Sequence, residues 1–297
     1  MADLLAPRVP GPARLRELLA GDEIVVAPGA FDALSARLVE AAGFPAVYMT
    51  GFGTTASLLG RPDVGLLTMT EMVQAAGRIR SAVEVPVIAD ADTGYGNALN
   101  VIRTVREYEA AGVAAIHLED QVAPKRCGHL EGKRVVPAET MTDRVRAAVA
   151  ARYNPDFVLI ARTDARAVEG LDAAIERARR YHDAGADLLF VEALQSEAEV
   201  ERVADVFRDV PLLFNWAEGG KTPPLSRDRL QELGFRLVIC PISTLLAATE
   251  AMRAVLGRIA EDGTPVNAVR DLPGLTGFAD FVGLPEVNKI GETYGNG

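Results

Sequence analysis

Three acidic residues stand directly after two short apolar runs. Residues 85–89 lead into Asp90-Ala91-Asp92-Thr93-Gly94-Tyr95-Gly96, and residues 114–118 lead into Glu119-Asp120-Gln121. In a parallel strand alternate residues share a side, so Asp90 and Asp92 are expected to point the same way. Three carboxylates from adjacent strands would repel one another unless a cation neutralised them. A hard divalent ion does this, and Mg²⁺ usually takes one or two protein carboxylates together with water and substrate oxygens. The competing reading is that the acids cap helices or pair with Arg162 and Arg103. Further polar residues follow other apolar runs in the same manner: Arg162-Thr163-Asp164, then Glu192, then Asn215.

A second constellation is Pro124-Lys125-Arg126-Cys127-Gly128-His129-Leu130-Glu131-Gly132-Lys133-Arg134. Its four basic residues and one acid carry about +3 within a chain whose formal net charge is −10. An anionic substrate would be drawn there. Neighbouring cations favour a thiolate, which makes Cys127 a candidate acid/base or nucleophile, and the glycines suit a loop that closes over a ligand. The plainer alternatives are an inert cysteine and a solvated basic loop. Cys240, beside Pro241 in an apolar run, fits the inert description; Cys127 has no apolar surroundings. A third segment, Asn215-Trp216-Ala217-Glu218-Gly219-Gly220-Lys221-Thr222-Pro223, is a glycine-rich loop of the kind that binds anions through backbone N–H groups. His117, His129 and His182 do not form a metal-ligand spacing.

These groups must be positioned by regular elements, and the pattern is even. Short β-rich runs recur at residues 24–28, 46–50, 85–89, 114–118, 157–161, 187–191, 211–214 and 237–240, with helical periodicity between them, as in residues 171–184 and 227–233. Gly43, Gly112, Gly185 and Gly234 each follow a helical stretch and precede a strand, where a left-handed residue ends a helix. Eight alternations without a long polar linker predict a (β/α)8 TIM barrel over residues 1–262; the alternative is an open doubly wound sheet. In a barrel all the polar residues named above lie at the C-terminal mouth. The connections at residues 51–84 and 120–156 are the longest, as expected on the face where chemistry occurs. Residues 263–297 read as a glycine-rich, weakly periodic C-terminal extension that packs on the barrel or on a neighbouring subunit.

The 297 residues suit one barrel, and about half are hydrophobic, enough for a large core. The acidic balance argues against nucleic acid or an anionic membrane as partner. No apolar run approaches the ~18 residues of a membrane span. The N-terminus lacks the basic start and apolar stretch of a signal peptide, and two cysteines in unlike contexts do not indicate a disulfide scaffold. A cytoplasmic enzyme is expected.

The chain resembles the isocitrate lyase and phosphoenolpyruvate mutase superfamily from about residue 15 to about residue 262. The motifs that carry the resemblance are Tyr48-Met49-Thr50-Gly51, Asp90-Ala91-Asp92-Thr93-Gly94-Tyr95-Gly96, Leu118-Glu119-Asp120-Gln121, Lys125-Arg126-Cys127-Gly128-His129, Ala161-Arg162-Thr163-Asp164 and Glu218-Gly219-Gly220-Lys221-Thr222-Pro223. It implies a barrel whose eighth helix is exchanged between paired subunits, usually in a homotetramer that is a dimer of dimers, with Mg²⁺ or Mn²⁺ as cofactor. Position by position, it implies Asp90 and Asp92 as the principal metal-site acids and Glu119 alongside, often through water. Asp63 resembles an acid that supports this centre. Thr50, Gly51 and Phe52 match a cradle for the α-keto-acid end of the substrate. Arg162, Glu192 and Asn215 match residues that hold carboxylate or hydroxyl oxygens. Cys127 matches the acid of the carbon–carbon lyases, with Gly128 and His129 its loop neighbours; Tyr48, Asp63 and Lys125 complete the expected catalytic group.

The chemistry implied is retro-aldol cleavage of a small anionic 2-hydroxy carboxylate to an α-keto acid such as pyruvate plus a carboxylic acid. The hydroxyl proton would leave to Tyr48 or a metal-linked base, and Cys127 would protonate the released carbanion. Two departures bear on substrate. Where 2-methylisocitrate lyases carry arginine, this chain has Leu130, and after Pro241-Ile242-Ser243 it has Leu245 and Leu246. Fewer arginines favour a 2,3-dimethylmalate-like dicarboxylate over a 2-methylisocitrate-like tricarboxylate. Phe52 and Trp216 are bulky enough to narrow the pocket. The alternatives are a carboxyphosphonoenolpyruvate phosphonomutase, an oxaloacetate hydrolase or decarboxylase, and a non-catalytic metabolite-binding barrel.

Overall fold

The structure, a computed structural model, describes residues 5, 10–128 and 131–295. Residues 10–245 belong to one compact unit, and Leu5 and residues 246–295 to another. The elements begin with α1 (Gly11–Ala20), β1 (Val25–Ala30), α2 (Ala33–Ala41), β2 (Val47–Met49), α3 (Gly51–Leu59), α4 (Met69–Ala82), β3 (Val87–Asp90), α5 (Ala98–Ala110) and β4 (Ala115–Glu119). They continue with α6 (Ala138–Ala151), β5 (Val158–Thr163), α7 (Leu171–Asp183), β6 (Leu188–Val191), α8 (Glu197–Val206), β7 (Leu212–Asn215), α9 (Arg227–Glu232), β8 (Phe235–Cys240) and α10 (Ser243–Asp262). The chain then forms α11 (Leu275–Phe281) and α12 (Leu284–Tyr294).

Every strand pairs in parallel with its chain neighbour, and β8 pairs with β1 through Val25–Leu237 to Pro28–Cys240. The sheet is therefore closed, as the even spacing predicts; a doubly wound sheet would leave two open edges. Each strand lies within two residues of its predicted run. The glycines that punctuate helix and strand take positive φ, 87° at Gly43 and 81° at Gly112 among them, which a Cβ would oppose.

Alternate strand residues form two cores. Val25, Ala27, Ile88, Val158, Ile160, Leu188, Leu213 and Leu237 fill the barrel together with Leu15 of α1. The other set, including Val47, Val87, Ala89, Ile116, Leu118, Leu159, Leu189 and Val238, packs with residues of the surrounding helices such as Ile79, Tyr108, Val145 and Tyr181. Two segments are more ordered than their sequences imply. Residues 51–84 hold two helices, because Thr50 accepts a hydrogen bond from Gly53 N (3.2 Å) and starts α3 despite its glycine- and threonine-rich composition. The weakly periodic residues 263–297 contain α11 and α12. None of α10, α11 and α12 has a buried residue. Among the described residues no helix is long and apolar enough to cross a membrane.

The barrel closes tightly where β1 meets the exit of β8. A Cβ on Gly29 would run into the Pro241 carbonyl, and the Gly29 carbonyl accepts a hydrogen bond from Thr244 Oγ1 (2.6 Å). Backbone there cannot move without opening the seam. Gly29→Ala is expected to cost about 2 kcal/mol or more, read as a lowered Tm by calorimetry; an unchanged Tm would contradict this packing.

Candidate active site

Continuing the inward rows of the barrel upward turns the interior from apolar to polar. The rows end in Tyr48 on β2, Asp90 on β3, His117 and Glu119 on β4, Arg162 on β5, Glu192 just after β6 and Asn215 on β7. Strand register sets Asp90 beside His117 and Glu119 beside Arg162. Above them lies a cavity of about 110 Å³. Its polar lining includes Tyr48, Thr50, Asp63, Asp90, Glu119, Lys125, Arg162, Glu192 and Asn215, and the long loop after β4 adds Arg126, Cys127 and Gly128. An apolar wall of Phe52, Phe190, Ile239, Pro241 and Ile242, and the loop residues Ala217, Glu218, Gly219 and Gly220 after β7, complete it.

Most of the residues singled out from sequence thus meet at one place. Gly51 is under the cavity, where a Cβ would strike the Asp90 carboxylate, and a Cβ on Gly128 would strike Arg162 and Glu192. His129 and Leu130 lie outside the described residues. Asp92 does not line the cavity and does not follow the alternation expected of it. β3 ends at Asp90, and Asp92 sits in the turn beyond it with φ 47°, as does Tyr95 with φ 60°. Left-handed backbone at non-glycine residues is strained and is tolerated where a site requires it. Neither acid is a helix cap; Asn97 caps α5, accepting from Leu99 N (2.9 Å).

Six buried carboxyl groups line the cavity or pair with the cations beside it (Asp63, Asp90, Asp92, Glu119, Asp164 and Glu192), against three buried cations (Lys125, Lys133 and Arg162). Lys125 Nζ lies 2.5 Å from Asp63 Oδ2 and 2.8 Å from Asp92 Oδ1, the second a charge pairing without hydrogen-bond alignment. Arg162 forks onto Asp164 (Nε 3.0 Å, Nη2 3.1 Å) and lies 3.3 Å from Glu119 and 3.4 Å from Glu192. Burial pushes Asp92 up to about 6 against the opposing charge of Lys125, with Asp90 and Asp63 adding to the rise. Burial likewise lifts Glu119 well above the ordinary carboxylate range, opposed by Arg162. Burial also acts to raise Asp90, yet His117, Lys125 and Arg162 hold it below that range. Tyr48, pushed well up by burial and by Asp90, is a hydroxyl and not a phenolate, with its oxygen 2.8 Å from His117 Nε2. Burial acts to lower His117, opposed by the charge of Asp90.

The unbalanced negative charge and one orphaned oxygen indicate what is needed. Glu119 Oε1 is buried with no hydrogen-bond partner. Among the described residues no three His, Cys, Asp or Glu side chains come close enough to hold a metal ion by themselves. The donors fit a hard divalent cation that a few carboxylates hold and that water or substrate oxygens complete.

Sequence reasoning passed over the residues that support this centre. Asp120, one position after Glu119, points to the opposite side of β4 and accepts from Thr163 Oγ1 (2.7 Å), Asp164 N (2.9 Å) and Tyr181 OH (2.9 Å), with Arg177 3.3 Å away. The period of two in the strand was the available signal, since it sends Glu119 inward and Asp120 outward.

The sequence profile described as phosphoenolpyruvate phosphomutase matches residues 15–260. The chain belongs to this family. A 2,3-dimethylmalate lyase of Eubacterium barkeri is 48% identical over 285 residues, covering 96% of this chain and 98% of that one. A 2-methylisocitrate lyase of Aeropyrum pernix is 46% identical over 275 residues, 93% of this chain and 88% of its own. Among solved structures, a 2,3-dimethylmalate lyase described as a PEP mutase/isocitrate lyase superfamily member superposes with a TM-score of 0.93 at 42% identity, covering 97% of each chain. A phosphonopyruvate hydrolase in complex with oxalate and Mg²⁺ superposes with a TM-score of 0.88 at 32% identity, over 96% of this chain and 99% of that one.

The two cysteines differ as their sequence contexts imply. Cys127 lines the cavity, whereas burial, with the charge of Glu218 adding to it, pushes the Cys240 thiol up to about 11. At pH 8 only about one Cys240 thiol in a thousand is ionised. Iodoacetamide at pH 8 is expected to label Cys127 first by peptide mass spectrometry, with Cys240 following only as the pH approaches 11. Equal labelling rates at pH 8 would contradict the assignment.

Proposed function

We propose that the protein is a metal-dependent carbon–carbon lyase that splits a small 2-hydroxy dicarboxylate of the 2,3-dimethylmalate kind into pyruvate and a second carboxylic acid. One observation carries the reading: Cys127, Arg162, the acids of β3 and β4 and the start of α3 all border a single cavity. The names of the lyase relatives, matched over nearly the whole chain, support the same reaction class. A dicarboxylate is favoured because the described residues of the lining hold no cation beyond Lys125, Arg126 and Arg162 for a third carboxylate, while Phe52, Phe190, Ile239, Pro241 and Ile242 suit methyl substituents.

Asp90 and Glu119, with Asp92 behind Lys125, would hold Mg²⁺ or Mn²⁺, which supplies Lewis-acid stabilisation of the negative oxygen that develops at C2. The first N–H groups of α3, at Gly51 and Phe52, lack intrahelical partners and donate to the carboxylate beside C2. Arg162 and Asn215 hold the distal carboxylate, and Glu192 accepts from Asn215 Nδ2 (3.1 Å) and positions it. The alcohol proton leaves to Tyr48 as Tyr48 passes its own proton to His117 Nε2, 2.8 Å away. The C2–C3 bond breaks, C2 becomes the keto carbon, and the bonding pair moves to C3 as a carboxylate-stabilised carbanion. Cys127 delivers its proton to C3. Loop residues above the cavity keep water from competing.

The resemblance to helix-exchanging subunits is also proposed for this chain, as a homotetramer of paired dimers with residues 263–297 packing on a neighbouring subunit. What supports it is α10, which has no buried residue and exposes Leu246, Met252 and Leu256.

Purified protein given Mg²⁺ and 2,3-dimethylmalate is expected to release pyruvate, measured through lactate dehydrogenase; EDTA abolishes the release and Mg²⁺ restores it. Cys127→Ala and Asp90→Ala should each lower kcat by about a hundredfold or more. Unchanged turnover in either variant would overturn the mechanism, and turnover of oxaloacetate or a phosphonate alone would replace the substrate. Sedimentation should give four chains for the native protein and a smaller species for Leu256→Glu; a native single chain would refute the assembly.

A further inference from the structure

The turn that follows β3 separates two cavities. Asp90 lines the cavity of the candidate site, whereas Asp92, Thr93 and Tyr95 line a second one of about 590 Å³; Lys125 borders both. A wall between two cavities gives up packing contacts on both of its faces, so directed bonds weigh more in setting its shape.

The backbone supplies some of those bonds. Ala91 N donates to His117 O (3.1 Å) and Glu119 N donates to Asp92 O (2.9 Å), which ties the turn to β4. Toward β2 the ladder has already ended, since the last registered pair there is Met49 with Ala89. At the Asp90 carbonyl a side chain takes over. The Tyr108 hydroxyl of α5 donates to Asp90 O at 2.9 Å, and Tyr108 is fully buried. Tyr95, in the turn itself, places its hydroxyl 3.1 Å from that of Tyr108. A phenol has one proton, and the Tyr108 proton goes to a carbonyl, which has none to give. Tyr95 is therefore the donor in the second bond, and the chain runs from Tyr95 through Tyr108 to Asp90.

The same chain accounts for the strained backbone. Asp92 and Tyr95 have left-handed φ of 47° and 60°, and such residues persist only where their surroundings over-determine them. Folding the turn back brings the Tyr95 hydroxyl within reach of Tyr108 and sets Asp92 N 2.9 Å from Asp90 Oδ1. Thr104, one helical turn before Tyr108, donates to Gly94 O (3.2 Å) and fixes the middle of the turn. Asp90 is thus held at both ends, its carbonyl by Tyr108 and its carboxylate by the turn that Tyr95 anchors.

We propose that Tyr108 and Tyr95 are positioning residues for the Asp90 carboxylate, acting through its carbonyl and touching neither metal nor substrate. The inference rests on the proposed role of Asp90 at the metal. It adds that affinity for the cation is set in part from α5, outside the barrel. Groups that hydrogen-bond a ligating residue commonly change metal affinity by roughly ten- to a hundredfold.

The probe is Mn²⁺ alone, and the readout is its dissociation constant, taken from the electron paramagnetic resonance signal of the free ion with full-length protein and no substrate. Tyr108→Phe is expected to weaken Mn²⁺ binding about tenfold, and Tyr95→Phe about threefold. The double variant should lose no more than about tenfold, because Tyr95 acts only through Tyr108. The Tm of each metal-free variant in EDTA, followed by circular dichroism, should stay within about 5 °C of native. A lowered metal-free Tm with unchanged Mn²⁺ affinity would show a structural role only and overturn the proposal. So would a double variant whose loss is the product of the two single losses. A native protein that binds no Mn²⁺ would instead overturn the metal centre itself, so the two readings fail on different measurements.

Discussion

Closing eight parallel strands into a barrel brings their carboxyl-terminal residues to one narrow opening, and in this chain those residues are mostly acids. Two like charges about 4 Å apart cost on the order of 4 kcal/mol near a protein surface, and more as water is excluded. The opening is therefore stable only with counter-charge built in. Lys125 is drawn between Asp63 and Asp92, and Arg162 reaches Glu119, Asp164 and Glu192 from a single strand. Three cations against six acids still leave room for a dication, and the raised Asp92 and Glu119 carboxyls express the same deficit. Substrate recognition and loop placement both follow from how this excess is shared.

The opposite end of the barrel meets the reverse requirement. There the interior is apolar, and a charged tie lies outside it: Asp187 receives Arg152 (2.6 Å), Arg16 (2.9 Å) and the Leu159 N–H (2.8 Å), joining α1, the end of α6 and the start of β5. These polar groups hold elements together. The division between a stabilising lower face and a reactive upper face is the usual one for parallel barrels, because only the upper loops are not needed to close the sheet. Adjacent residues can serve both purposes. Glu119 enters the cavity while Asp120, turned outward by the strand period, braces β5 and α7 through Thr163, Tyr181 and Arg177.

The loop after β4 connects the two themes. Its stem is set by backbone pairing and by Gln121, which are local and independent of charge. Its tip depends on Lys133 and Asp164, which belong to the electrostatics of the opening.

The strands, their parallel order and the identity of the polar residues that end them were legible in the sequence, since apolar runs of period two and helix-ending glycines are local signals. So was the unusual character of the Cys127 loop, because its charge opposes that of the whole chain. Other features were hidden. The helix α3 begins in a glycine- and threonine-rich stretch whose propensity is poor and whose cap and burial are supplied by the fold. Asp92 was expected to follow strand alternation, but β3 ends before it and the turn redirects its side chain toward Lys125. Asp164 and Lys133 stand out only within their motifs, and His117 only as lacking a metal-ligand spacing, because their roles consist of distances to groups as many as 69 positions away, as between Tyr48 and His117. The sequence by itself determined which residues are acids, where strands stop and hence that a charged mouth forms on a barrel. Only the tertiary structure decided which acid faces the cavity, which is neutralised by lysine and which anchors the loop. Those choices depend on Coulomb and hydrogen-bond terms that vary over single ångströms, and no local pattern in the chain encodes such separations.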